Sequence, residues 1–366
     1  MELSFGGRLT LTKSVLGSPP LYFFSLFKAP SSIIDEIEKI RRRFLWGGNE
    51  ERNKINWVSW KVVLGPKNKG GLGIGSMSSL NWALLLKWNV TKTVKALEKI
   101  GITIQSIFSL KIGTGTDTLF WFDWWTDQGV LASRFPRLLA LEKRKYCFVA
   151  ERLSTPIGDW KWKRKPRLLE EVAEFNVLAD IVNNRQLSAG PDVVQSRLNK
   201  DGIFFVSNAR ELIDAYVTTP MINNVIWLHL VPIKINSFLW RACIGRIPTA
   251  DALSKRGISV RDSSCRACVA EVEDTDHLFA GCPFAKEVLE RIWRWCSISP
   301  PQFNSLNEII VYAAKWGNCP KKRKILLAII YGYVWCLWRT RNDRVFTNKN
   351  VAASKVADNV LSMVFN

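Results

Sequence analysis

The sequence predicts a mainly α protein with small β hairpins (α+β), made of several helical parts and carrying one structural metal site. Three observations lead there. Apolar residues recur at helical spacing between prolines along much of the chain. Gly113, Thr114, Gly115, Thr116 and Asp117 lie between apolar Ile112 and the run Leu119 to Phe122, a hairpin signal. Cys265, Cys268, His277 and Cys282 fall in one short segment at the spacing of metal ligands.

In chain order, apolar spacing predicts a helix from about Leu9, which Pro19-Pro20 stops. A second helix is expected after Pro30, from Ser31 or Ser32, with Asp35 and Glu36 near its start and Ile33, Ile37, Ile40 and Phe44 along one face. Arg41, Arg42 and Arg43 close it, where cations complement the helix dipole and would also make a phosphate-facing patch. Gly70, Gly71 and Gly73 read as a turn, because no Gly-Lys-Ser/Thr follows to cradle a nucleotide. Trp160, Lys161, Trp162, Lys163, Arg164 and Lys165 interleave rings and cations, which suits either nucleic-acid contact or a solvated linker. A helix from about Leu168 to Val182 follows, then a strand over Asp201 to Val206 entering a helix capped by Asn208 with Glu211 three residues on. Pro283 can open a helix whose apolar residues are Phe284, Val288, Ile292 and Trp295. The apolar run Ile325 to Trp338 is shorter than the roughly 18 residues a membrane span needs, so it reads as a buried helix.

Composition narrows the function. The 366 residues carry 52 Lys and Arg against 32 Asp and Glu, a net charge of +20. So one-signed an excess costs self-repulsion unless a polyanion relieves it, which points to a nucleic-acid partner rather than a membrane or a small-molecule substrate. Eight cysteines are too few for a disulfide scaffold, and with no leader-like opening the expected compartment is the nucleus or cytoplasm. No Asp-Asp pair occurs, so the two-metal site of a polymerase palm is not expected here. Only two histidines exist; His229, in the apolar Ile226 to Leu230 segment, reads as a core residue.

The remaining histidine belongs to the metal segment. A Cys-x2-Cys turn presents two thiolates from one loop, and His277 with Cys282 can close a tetrahedron from the other side. Three sulfurs and one nitrogen leave no vertex for water, so Cys265, Cys268, His277 and Cys282 suit structural Zn²⁺ rather than catalytic zinc. The competing reading is three reduced core cysteines and an ordinary helix histidine. Asp274 and Asp276 beside them read as a solvated turn.

Around these ligands stand Ile226-Trp227, Val231-Pro232-Ile233-Lys234-Ile235, Phe238-Leu239-Trp240-Arg241, Arg246-Ile247-Pro248-Thr249, Arg256-Gly257-Ile258 and His277-Leu278-Phe279. This pattern resembles the zinc-binding domain near the C-terminus of plant LINE-type (non-LTR) retrotransposon reverse transcriptases. Phe44-Leu45-Trp46-Gly47-Gly48, Trp57, Trp60-Lys61 and Gly70-Gly71-Leu72-Gly73 extend the resemblance to the thumb region, and Asp123-Trp124-Trp125 to the segment between. Gln195-Ser196 depart from it, since tryptophan is usual there.

The resemblance implies four parts: a helical thumb-like region over 1–100, a mixed connecting region over 101–225, the zinc-binding domain over 226–298 and a helical tail over 299–366. It implies RNA or an RNA–DNA hybrid as partner, and a chain that is no enzyme, since palm, endonuclease and ribonuclease H carboxylates are all missing. Two other readings stay open. The chain could be an interaction module docking on a full-length element-encoded polymerase, or a decayed reading frame.

Overall fold

The computed structural model describes residues 3–18, 21–48, 54–88, 97–126, 128–219 and 225–365. They form two compact units, one of residues 1–79 with 217–366 and one of residues 80–216. The architecture is helical, and its only sheet among the described residues has two strands.

The first unit opens with α1 (Phe5–Ser14), which starts before Leu9 because the Ser4 hydroxyl accepts the Gly7 N–H at 3.2 Å. It ends at Ser14, ahead of Pro19-Pro20, which lie outside the described residues. After α2 (Leu21–Leu26), α3 (Ser31–Trp46) begins behind Pro30 and stops where Gly47 takes φ +74°, the left-handed turn glycine adopts freely. α4 (Trp60–Leu64) leads into the glycine turn, where the Gly71, Gly73 and Gly75 amides donate to the Pro66, Gly65 and Leu64 carbonyls. A Cβ on Gly71 would lie 2.0 Å from the Gly65 carbonyl oxygen, so this fold-back admits only glycine. α5 (Met77–Trp88) follows, its residues from Leu80 on belonging to the second unit.

The second unit holds β1 (Phe108–Lys111), α6 (Leu169–Asn183), β2 (Val193–Ser196) and α7 (Val206–Val217), with short helical turns between. β1 pairs antiparallel with β2, Phe108 opposite Ser196 and Lys111 opposite Val193. The expected hairpin about Gly113 to Asp117 is therefore absent. Asp192 accepts from the Gly113 and Gly115 amides at 2.8 and 2.9 Å and from the Thr118 hydroxyl at 2.6 Å, which wraps the loop around one carboxylate. Phe120, Trp121 and Trp125 go into the core with Leu131, Leu138 and Leu178 instead of forming a strand. Residues 203–205 have no strand partner either, and α7 begins at Val206, so Asn208 lies inside its first turn rather than at the cap.

Back in the first unit come α8 (Ile233–Cys243), α9 (Ala250–Ser254), α10 (Pro283–Trp295), α11 (Leu306–Lys315), α12 (Pro320–Thr347) and α13 (Ala353–Phe365). Gly6 lets α1 press on α8, since a Cβ there would stand 2.9 Å from the Lys234 nitrogen. Trp240 donates its indole N–H to the Gly70 carbonyl at 2.7 Å, tying α8 to the glycine turn. The early residues thus fold with the late ones, and the units divide the chain differently from the four parts read from sequence. α10 buries Ala285, Val288, Leu289, Ile292 and Trp293, whereas Trp295, expected on that face, is half exposed. α12 buries Leu326 to Val334, as its apolar run predicts. No described helix is long and apolar enough to cross a membrane.

Candidate metal centre

Two local devices bring the ligands together. The first is a tight loop: a bridge joins Ser264 to Val272, and the Cys265 N–H donates to the Glu271 carbonyl at 2.7 Å. Val269 closes it at φ +58° with its N–H on the Cys265 carbonyl, so Cys265 and Cys268 point from one turn. The second is a widened helical turn over His277–Gly281, in which the Cys282 N–H donates to the His277 carbonyl at 2.7 Å. In an α-helix, residues five apart sit about 140° round the axis from one another. An i to i+5 closure brings the fifth residue back over the first, which sets Cys282 beside His277.

All four ligand atoms lie within 4.8 Å of one another. The Cys265 and Cys282 sulfurs are 3.8 Å apart, and Cys268 Sγ is 3.3 Å from His277 Nε2. Tetrahedral zinc, with bonds of about 2.3 Å to sulfur and 2.0 to 2.1 Å to nitrogen, needs about 3.8 Å between sulfurs and about 3.6 Å between sulfur and nitrogen. The donor set fits. His277 Nδ1 lies 2.8 Å from a Glu271 carboxylate oxygen, so an Nδ1 proton given to Glu271 leaves Nε2 as the ligating atom. Its shared hydrogen bond with Cys282, and then burial, push the Cys265 thiol up to about 12, while the same bond pulls Cys282 down.

Side chains far away in sequence hold these devices. Tyr333 on α12, fully buried, donates to the Phe279 carbonyl at 2.7 Å and reaches the Ala285 carbonyl at 3.2 Å. Arg341, two turns on, forks onto buried Glu273 at 3.0 and 2.5 Å, and Glu273 also accepts the Ala250 N–H at the start of α9. The Arg344 guanidinium sits 3.9 Å over the Phe284 ring. The Asp274 and Asp276 carboxylates accept the backbone N–H groups of His277 at 2.7 Å and Leu306 at 3.0 Å, which gives both a structural task. Sequence reading missed Glu271, Glu273, Tyr333 and Arg341. The signal available was an acidic residue inside the ligand span and polar groups interrupting the apolar face of α12. His229, expected in the core, is exposed.

The residues expected to contact nucleic acid divide. Arg41 is only 1% exposed, paired with Glu38 at 2.9 Å and donating to the Gly75 carbonyl at 3.2 Å, so it joins α3 to the glycine turn and cannot meet a phosphate. Arg42 is exposed and Arg43 half-buried. Trp160 is buried, its indole N–H on the Thr155 carbonyl at 3.0 Å and its ring edge-on to Phe120, so it offers no face to a base. Trp162 is half-buried between Trp160 and Phe175. Lys161, Lys163 and Lys165 are exposed, and Arg164 forks onto Glu171 at 2.8 and 2.7 Å.

Comparison with known proteins agrees with the metal centre. Residues 204–289 match the family described as zinc-binding in reverse transcriptase. The chain is 26% identical over 319 residues to the "Putative ribonuclease H protein" of Arabidopsis thaliana, covering 77% of this chain and 51% of that protein. It is 32% identical over 69 residues to an "Uncharacterized mitochondrial protein" of the same plant, covering 19% of this chain and 45% of that one. The chain thus spans about half the length of the curated relatives it matches. These matches relate it to retrotransposon reverse transcriptases.

Proposed function

We propose that this chain is the C-terminal part of a LINE-type, non-LTR retrotransposon reverse transcriptase. In it Cys265, Cys268, His277 and Cys282 hold structural Zn²⁺, and the basic surface binds RNA or an RNA–DNA hybrid without catalysis. The observation that carries this is the closed donor set: three thiols and one imidazole within 4.8 Å, with no place for water or substrate. Thiolates and imidazole favour zinc over oxygen-seeking cations. When bound, such an ion supplies folding free energy. The chain's own residues do the rest: Glu271 orients His277, while Tyr333 and Arg341 dock the segment on α12.

The ribonuclease H activity named for the longer relative stays outside this proposal. After Pro320 the only acidic residues are Asp343 and Asp358, fewer than the convergent carboxylates that metal-assisted hydrolysis needs. Elemental analysis of purified protein, followed by RNA binding before and after chelation, tests the reading. One zinc per chain with chelation-sensitive, salt-sensitive binding is expected; absence of zinc or of binding overturns it.

One observation favours a second reading, a module that docks on a complete polymerase. α2 and the residue after it expose Tyr22, Phe23, Leu26 and Phe27, each more than half accessible, an apolar patch of the kind that marks interaction surfaces. Light scattering and a pull-down with full-length polymerase decide, and a monomer indifferent to that polymerase rules it out.

A further inference from the structure

Lys13 stands in the last turn of α1, and Lys67 opens the single helical turn that leads to Gly70. Both converge on Gly73. A Cβ added to that glycine would lie 3.7 Å from Lys13 Nζ and 3.4 Å from Lys67 Cγ. Lys67 carries its ammonium 4.2 Å from the centre of the Trp227 ring, a cation–π contact that fixes a side chain otherwise free to swing away. Neither ammonium has a carboxylate partner among the described residues. Burial, with the neighbouring Lys67 charge, draws Lys13 down to about 8, and burial also lowers Lys67. Folding therefore gathers two like charges, partly removes their water and provides no anion. Gly73, with no side chain, leaves room for the Lys67 stem and the Lys13 ammonium to approach each other.

We propose that Lys13 and Lys67, the latter seated on Trp227, form a phosphate-binding pair that takes one phosphodiester of a bound nucleic acid. This rests on the reading of the chain as a nucleic-acid-binding protein and gives that reading a location. A pair of ammonium groups recognises phosphate as a point charge and carries no base preference, as sequence-tolerant binding requires. Trp227 is a positioning residue: one ring face holds Lys67 in place.

The test uses the full chain, a short labelled single-stranded RNA and the double variant Lys13→Gln/Lys67→Gln. The slope of log affinity against log salt should fall in magnitude by about 0.7, the value for one phosphate released from a single strand. The melting temperature should change little, since relief of the like charges offsets loss of the Lys67–Trp227 contact and no hydrogen bond is lost. Acetylation of wild-type lysines, read by mass spectrometry, is the second readout, and RNA should protect Lys13 and Lys67. Unchanged slope with unprotected lysines overturns the pair but leaves nucleic-acid binding standing. Wild-type protein that binds no RNA at low salt overturns both. Protection by inorganic tripolyphosphate but not by RNA overturns the nucleic acid as the source of the phosphate.

Discussion

Cys265 to Cys282 and Trp160 to Lys165 are both short stretches dense in chemically suggestive residues, yet the fold treats them in opposite ways. In the first, a tight loop and a widened helical turn rotate four dispersed donors toward one point. In the second, the segment turns Trp160 and Trp162 inward while Lys161, Lys163 and Lys165 stay in solvent. Residue types at a given spacing become a site only when the backbone period matches that spacing. Cys-x2-Cys suits a tight turn, and His-x4-Cys needs the i to i+5 closure. A ring-and-cation alternation with period two is, by contrast, what a half-buried strand-like segment shows with no ligand at all.

The strongest way to break this comparison is at the ligands. Cys268→Ser or His277→Ala should unfold the segment and lose zinc, because ligation in finger peptides is worth about 10 to 16 kcal/mol, comparable to a domain's whole stability. Unchanged metal content and melting would refute the assignment. Next is the support: Glu273→Ala strands Arg341 in a buried site and should cost about 3 to 5 kcal/mol, read as a lower denaturation midpoint. A cost near zero would mean that α12 does not hold the loop.

The third prediction sharpens the other side of the contrast. Trp160→Ala should destabilise its unit by about 3 to 5 kcal/mol, as an emptied aromatic core site does, whereas Lys161→Gln/Lys163→Gln/Lys165→Gln should leave melting unchanged and weaken RNA binding. If the tryptophan change instead weakened binding at full stability, the inward reading of that ring would fail. The smallest effect is acid sensitivity at Glu171. The Arg164 hydrogen bonds, then the Arg167 amide, hold its carboxyl at about 2, below the ordinary carboxylate value. A depressed folded value stabilises above the unfolded one and is lost as pH falls toward 2, so Glu171→Gln should flatten the stability profile between about pH 4 and 2. An unaltered profile would show that this ion pair is fully screened.

Helix content, the four candidate ligands that folding brings together and the buried run of α12 could be read from sequence, because each depends on local periodicity or local spacing. Pro30 and Pro283 mark helix starts for the same reason. The two-stranded sheet could not. β1 and β2 are some eighty residues apart, and their pairing depends on Asp192 gathering a loop that, taken alone, looks like a hairpin turn. Arg41 was misread for a related reason: a cation ending a helix looks solvent-facing until Glu38 and the Gly75 carbonyl arrive to bury it.

By itself, then, the sequence determined which side chains can ligate a metal, which prolines open helices, and that the chain carries an uncompensated positive charge. Only the tertiary structure decided which cations stay free. Arg41 is spent on a carboxylate and carbonyls of its own unit and Arg164 on Glu171, whereas Lys13 and Lys67 meet over Gly73 with no acid nearby among the described residues. The reason is physical. Charge is additive along a sequence, but its availability to a ligand depends on desolvation and on partners that only folding brings within reach.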